Sequence, residues 1–262
     1  MNTDLITVET NERFIILTLN QPETLNAFSK DMILTISNYL KSLNEEGVNK
    51  PLIITGSGRA FSSGGNLGVM KTFVEKGAGL DYIQSIVPFV NELITLLLEY
   101  KGSTLAIVNG SAVGGGFNLA MACDFRIVHE KAKFRLGFID IGLTPATGNS
   151  FFVTKVLGIP KTLSLSLLSE SFTAKDLYTW GLANEIYSDT TSEDIKQVWI
   201  EKLCSLDTWQ VFTVRSLLYA GYGNSYLQQL DLEYATIQKA STRPLFKERV
   251  LSLWDKIQSK KK

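Results

Sequence analysis

The fold is decided by residues 107–126, Ile107-Val108-Asn109-Gly110-Ser111-Ala112-Val113-Gly114-Gly115-Gly116-Phe117-Asn118-Leu119-Ala120-Met121-Ala122-Cys123-Asp124-Phe125-Arg126. The apolar run Leu105-Ala106-Ile107-Val108 ends at Asn109-Gly110 and reads as a buried strand. Three glycines then lead straight into a helical stretch, residues 117–122, and residues 125–128 read as the next strand. Glycine at such a turn permits positive φ and lets a ligand approach the backbone closely. N–H groups exposed there, at a helix N-terminus, stabilise negative charge. The spacing is not the Gly-x-Gly-x-x-Gly of a dinucleotide site, and no Walker-type Lys-Ser/Thr follows.

Upstream, a second glycine-rich loop, residues 56–66, follows the buried strand Leu52-Ile53-Ile54-Thr55. Before it lie two short strands within residues 5–20, a turn at Asn11-Glu12, and a helix over 29–46 with Ser29 as N-cap and Met32, Ile33, Ile36 and Leu40 on one face. Residues 68–80 are mixed, with Gly77 and Gly79 marking a mobile stretch, and 82–100 form a long apolar helix. Residues 138–142 read as a short alternating strand. Beyond residue 160 the pattern is helical, near 161–169, 173–180, 192–205, 207–221 and 224–257. Strand–helix–strand order predicts an α/β fold with crossover connections, a βα core over 1–190 and a helical region over 191–262.

Composition narrows the function. Lys plus Arg and Asp plus Glu are 26 each, so the net charge is zero and no nucleic-acid footprint exists. The tail Lys260-Lys261-Lys262 is either solvated or a short phosphate contact. Lys71 and Lys76 carry the same two readings. No apolar run approaches the roughly 20 residues a bilayer needs. The polar, acidic start is no signal peptide, and the last residues are not a peroxisomal address, so a cytoplasmic protein is expected. Cys123 and Cys204 read as buried free thiols, without metal-ligand spacing. The single histidine, His129, lies in a charged, turn-like stretch and reads as a surface residue, so neither a catalytic triad nor a histidine metal site is expected.

These segments together resemble the crotonase superfamily of enoyl-CoA hydratases and isomerases. The resemblance rests on Gln21-Pro22-Glu23-Thr24-Leu25-Asn26-Ala27-Phe28, residues 58–67, residues 107–126, Ile141-Gly142-Leu143-Thr144-Pro145, and the stretch from Phe172-Thr173-Ala174 to Gly181-Leu182-Ala183. It implies a superhelix of ββα turns with a helical C-terminal trimerisation region that also covers the pocket. It implies a homotrimer or hexamer, no cofactor, and a coenzyme A or acyl-carrier-protein thioester as substrate. Carried over residue by residue, the two N–H groups that polarise the thioester carbonyl fall on Gly65 and Gly115. Substrate contacts fall on Asn26, Ala27, Ala60, Ser63, Asn66 and Leu67, and further on Asn118, Phe138 and Ala146, with Asn66 standing where an acid is more usual. Asp124 and Arg126 match a fold-stabilising part of the pattern.

The family's proton-transfer acids are missing. Asn118 and Phe138 stand where a hydratase carries its two glutamates, and Ala146 stands where an isomerase carries an acid. Addition of water needs a positioned acid and base, so ordinary hydratase action is not expected. Asp140 is the substitute candidate: buried and facing the ligand it would act as a base, whereas pointing away it would cap a turn. Thr144, Thr147 and Asn149 are hydrogen-bonding candidates. Tyr82, on the segment that covers the acyl end, is either packing or a contact. Three functions remain: an isomerase- or hydratase-like enzyme acting through an enolate, a decarboxylase of the polyketide β-branching type, or a non-catalytic acyl-CoA-binding subunit.

Overall fold

The computed structural model describes residues 4–259, so the Lys260-Lys261-Lys262 tail lies outside the described residues. Two compact units divide the chain, Met1–Thr208 and Trp209–Lys262.

The first unit opens with β1 (Ile6–Thr10), β2 (Ile15–Leu19) and α1 (Lys30–Glu45). The Ser29 side chain accepts from the Met32 N–H, which satisfies one orphan donor of α1 and fixes where the helix starts. Three strand pairs follow, β3 (Leu52–Gly56) with β4 (Ala60–Ser62), β5 (Thr104–Val108) with β6 (Ser111–Val113), and β7 (Phe125–His129) with β8 (Lys133–Arg135). Helices α2 (Leu67–Val74) and α3 (Gly79–Glu99) follow the first pair, α4 (Gly115–Ala122) the second and α5 (Asn149–Leu167) the third. The unit closes with β9 (Phe172–Thr173), α6 (Ala174–Thr179), β10 (Glu185–Tyr187) and α7 (Ser192–Cys204).

Each pair sends one strand to each of two sheets. The larger sheet has the order β1-β2-β3-β5-β7-β10 and is parallel except for β1 with β2; the smaller has the order β4-β6-β8-β9. Repetition of this step produces the ββα superhelix expected from the resemblance. The central strands are buried on both faces, as parallel strands are. Ile53, Leu105, Ile107 and Ile127 pack with Tyr187, Ile200 and Leu203 in one cluster. Each such side chain contributes about 1.5–3 kcal/mol through burial. Because Ile200 and Leu203 belong to α7, that helix is part of the β core, and the compact unit runs past residue 190 to Thr208. Asp124 accepts from the N–H and hydroxyl of Thr104, and the Arg126 guanidinium donates to the carbonyls of Cys123 and Leu182, so both residues bind the fold.

Several expectations change. Residues 67–74, read as mixed, form α2, capped by the Asn66 side chain at the Val69 N–H. The 56–66 loop contains β4, and residues 139–141 are a turn of 3₁₀-helix rather than a strand. Helix α5 begins at Asn149, not near 161. Cys123 is buried, whereas Cys204 is only half-buried. His129 is largely covered: its ring meets Tyr187 edge-on, and Nε2 reaches Asp189 at 2.9 Å. No helix among the described residues is long and apolar enough to cross a membrane.

The second unit carries most of α8 (Thr208–Ala220), then α9 (Tyr226–Ser241) and α10 (Pro244–Ser259). A single helix over 224–257 is expected from the sequence, but the chain breaks before Pro244, whose missing N–H and fixed φ suit the first turn of a new helix. Ser225 and Gln228 form a capping box at the start of α9. Neither α9 nor α10 has a buried residue, and Leu218, Tyr226, Leu227, Tyr234 and Ile237 are exposed.

Candidate functional site

The two glycine turns meet in space. Parallel pairing of β4 with β6 sets Ser62 beside Ala112 and aligns the segments that leave each strand. Gly64 has φ +74°, and a Cβ there would stand 2.5 Å from the Val113 carbonyl and 2.9 Å from the Gly115 nitrogen. Only glycine allows both this conformation and this approach. A third segment locks the pair, because the Phe28 N–H donates to the Gly64 carbonyl at 2.7 Å. Gly114, at φ +52°, ends the second turn and releases the chain into α4.

Gly115 is the first residue of α4, so its N–H has no partner within the helix. Gly65 is exposed and Gly115 half-buried, so a ligand has access to the backbone there. The space a Cβ would fill on Gly65 is bordered by the Tyr82 hydroxyl at 3.4 Å and the Met70 methyl at 3.6 Å. On Gly115 the same space is bounded by the Phe28 ring at 3.0 Å. Paired amides at such a place are suited to stabilising a developing oxyanion.

Around this cradle the expected contacts take varied roles. Asn26 is fully buried, and its own chain engages its polar groups: Oδ1 accepts from Gln21 N–H, Nδ2 donates to the carbonyls of Ser57 and Ala60, and its carbonyl accepts from the Ser62 hydroxyl. It is a staple between three segments, with its backbone at φ +54°. Ala27 and Ala60 are buried. Ser63 is half-buried and donates from its N–H to the Leu25 carbonyl and from Oγ to the Thr24 carbonyl. Leu67, 62% exposed, opens α2.

The positions of the missing acids are now defined. Asn118 is fully buried in α4; its Nδ2 donates to the Ala146 carbonyl at 2.9 Å and to Thr147 Oγ1 at 2.7 Å, and its Oδ1 accepts from Asn149 Nδ2 at 2.9 Å. This network ties α4 to the start of α5 and holds Thr147 at φ +53°. Asn149 Oδ1 is buried without a hydrogen-bond partner. Phe138 is half-buried, with its ring tip 3.9 Å from the place a Cβ on Gly114 would occupy. Ala146 is half-buried.

Asp140 does not meet the condition for a buried base. It is exposed, one oxygen accepts from the Arg135 guanidinium at 2.9 Å, and the other accepts from the Ser169 hydroxyl at 2.8 Å. Arg135 also donates to the Ser169 carbonyl at 2.6 Å. Asp140 therefore ties the 3₁₀ turn to the chain beyond α5. Its place on that turn, rather than on a strand, explains why alternation was a poor guide to its direction.

Tyr82, in the first turn of α3, comes closer to the cradle than a packing reading requires. Its ring meets Phe73 edge-on at 5.7 Å, and its hydroxyl is buried with no hydrogen-bond partner. Burial pushes its pKa above the ordinary tyrosine value, and the nearby Asn66 backbone amide offsets part of this without reaching hydrogen-bond geometry. Met70 gave no signal in the sequence, because α2 itself was not legible there.

Comparison with known proteins identifies the family and the fold. A sequence model described as enoyl-CoA hydratase/isomerase matches residues 9–260. The 1,2-epoxyphenylacetyl-CoA isomerase of Escherichia coli is 30% identical over 217 residues, covering 83% of this chain and 82% of that protein. The ethylmalonyl-CoA decarboxylase of Mus musculus is 30% identical over 193 residues, 72% of this chain and 59% of that protein. A crystal structure of an enoyl-CoA hydratase from Polaromonas superposes with a TM-score of 0.87 at 24% identity, covering 96% of this chain and 97% of that one. The chain therefore belongs to the enoyl-CoA hydratase/isomerase family, the crotonase superfamily, whose members include acyl-CoA isomerases, hydratases and decarboxylases.

Proposed function

We propose that this protein binds an acyl-CoA thioester with its carbonyl oxygen between the Gly65 and Gly115 N–H groups and forms an enolate without a carboxylate base of its own. The reading is carried by the contrast at the site. The glycine cradle is intact, while Asn118 is tied into a structural network, Phe138 is apolar and Asp140 is paired with Arg135. Loss of carbon dioxide from a 2-carboxyacyl thioester fits that contrast. The carbon–carbon bond breaks, its electron pair becomes the enolate, and the oxyanion is stabilised by the two amides. A proton taken from solvent water by the α carbon then completes the acyl-CoA product and leaves hydroxide, which the released carbon dioxide consumes as bicarbonate.

Isomerisation is the second reading, favoured by the 30% identity to the E. coli isomerase over most of both chains. It needs a group that removes a proton, and none of the three expected positions supplies one. Incubation with ethylmalonyl-CoA on one side and a 3-enoyl-CoA on the other separates the two. Release of carbon dioxide with formation of butyryl-CoA supports the first. Double-bond migration without decarboxylation supports the second, and tight binding without turnover of either supports an acyl-CoA-binding subunit.

We also propose that the second unit supplies oligomer contacts in a homotrimer or hexamer. Its support is the row of exposed apolar residues on α8, α9 and α10, including Leu218, Leu227, Ile237 and Trp254, more than one chain shows to water. Light scattering should give three or six times 29.1 kDa. A monomer mass independent of concentration would remove this proposal.

A further inference from the structure

We propose that the Tyr82 hydroxyl is a third hydrogen-bond donor to the thioester oxygen, acting beside the Gly65 and Gly115 N–H groups. The inference rests on the cradle reading above and deepens it. A buried hydroxyl without a partner lowers stability, and phenylalanine would pack the same ring without that penalty. The hydroxyl of Tyr82 is in that condition although the residue is only 4% exposed. It borders the one space at the cradle that the absence of a side chain on Gly65 leaves open, 3.4 Å from where a Cβ would stand. A ligand oxygen entering that space meets a donor already stripped of water. The ring is held by Phe73 and by the first turn of α3, where the Tyr82 N–H donates to the Ala78 carbonyl, so the hydroxyl is aimed before substrate arrives. Because burial holds its pKa above the ordinary tyrosine value, the group stays protonated at neutral pH and serves as a donor, not as a base.

Difference absorbance of bound cinnamoyl-CoA tests the assignment. Polarisation of the carbonyl should shift the conjugated absorbance to the red in wild type, and Tyr82→Phe should reduce that shift. Turnover of the preferred substrate should fall roughly 10²-fold, as for other single oxyanion donors. The melting temperature of ligand-free Tyr82→Phe should equal or exceed that of wild type, since an unpartnered hydroxyl has been removed. A merely structural tyrosine would lower the melting temperature and leave the spectrum unchanged. Replacement of Tyr82 by 3-fluorotyrosine, a stronger donor of nearly the same shape, should deepen the red shift and serves if Tyr82→Phe fails to fold. If wild type shifts and both replacements match it at equal occupancy, Tyr82 is not a donor and the cradle stands. If wild type shows no shift, the cradle reading fails and this assignment fails with it.

Discussion

Two neighbouring regions of the first unit are built on opposite terms. Residues 62–66 and 113–118 meet through backbone, with glycines where any side chain would intrude, and they leave main-chain donors accessible. Residues 136–149 meet the same place through side chains, and there the carboxylates expected to move protons are absent or, as with Asp140, engaged in holding the fold. On the function proposed above, the difference means that the part of the site that stabilises charge and the part that moves protons are separable. A chain can lose the second and keep the first, because the first is fixed by strand pairing and not by side-chain identity.

The largest expected consequence is in hydration. Crotonyl-CoA should be hydrated at least ~10⁴-fold more slowly than by a family member with both glutamates, since each general acid or base contributes about 10²–10⁴-fold. Fast hydration by the pure protein would break the comparison, because some other group would then be moving protons. Within the cradle, the contrast between adjacent glycines is the next largest effect. Gly64→Ala places a Cβ 2.5 Å from a backbone carbonyl at positive φ, and should cost about 2–4 kcal/mol in denaturant unfolding. Gly65→Ala makes only ordinary contacts and should change stability by less than about 0.5 kcal/mol, while its methyl enters the space beside Tyr82 and weakens acyl-CoA binding.

The neighbouring region gives smaller effects. Asn118→Glu returns a family glutamate but removes both donors to Ala146 and Thr147. It should lose about 2–3 kcal/mol of stability, from an unpaired carbonyl and a buried carboxylate, without restoring hydration. Unchanged melting with a gain of hydratase activity would show that the network is not what fixes this position. Asp140→Asn should cost under about 1 kcal/mol, because the ion pair with Arg135 is partly exposed and screened. Its turnover and pH profile should match wild type, and a shifted acidic limb would return Asp140 to the chemistry.

Legibility in the sequence follows the same division. Helix α1 was readable because Ser29 and the spacing of Met32, Ile33, Ile36 and Leu40 agree on its start and face. The glycine turns were readable because a backbone that must pass close to another leaves glycine as its trace. Strands β4, β6 and β8 were not, since three residues are too few for alternation to register and their partners within the smaller sheet lie far away in sequence. The N-cap at Asn66 and the proline at 244 were signals of α2 and of the α9–α10 break that glycine content and apolar spacing outweighed. The bond between Asn118 and Asn149, 31 residues apart, and the lack of a partner for Tyr82 are facts of tertiary structure with no local pattern.

The Gly115 N–H is the central donor of the proposed cradle, and a matched pair of substitutions isolates it. Gly115→Ala and Gly115→Pro add the same Cβ beside the Phe28 ring, and proline is tolerated at the first helical position, but only proline removes the donor. The infrared band of a ¹³C-labelled thioester carbonyl in bound acyl-CoA reports polarisation directly. The band should lie at lower wavenumber than in water for wild type and Gly115→Ala, and return toward the water value in Gly115→Pro. A wild-type band in fully occupied Gly115→Pro would contradict that role for the Gly115 N–H.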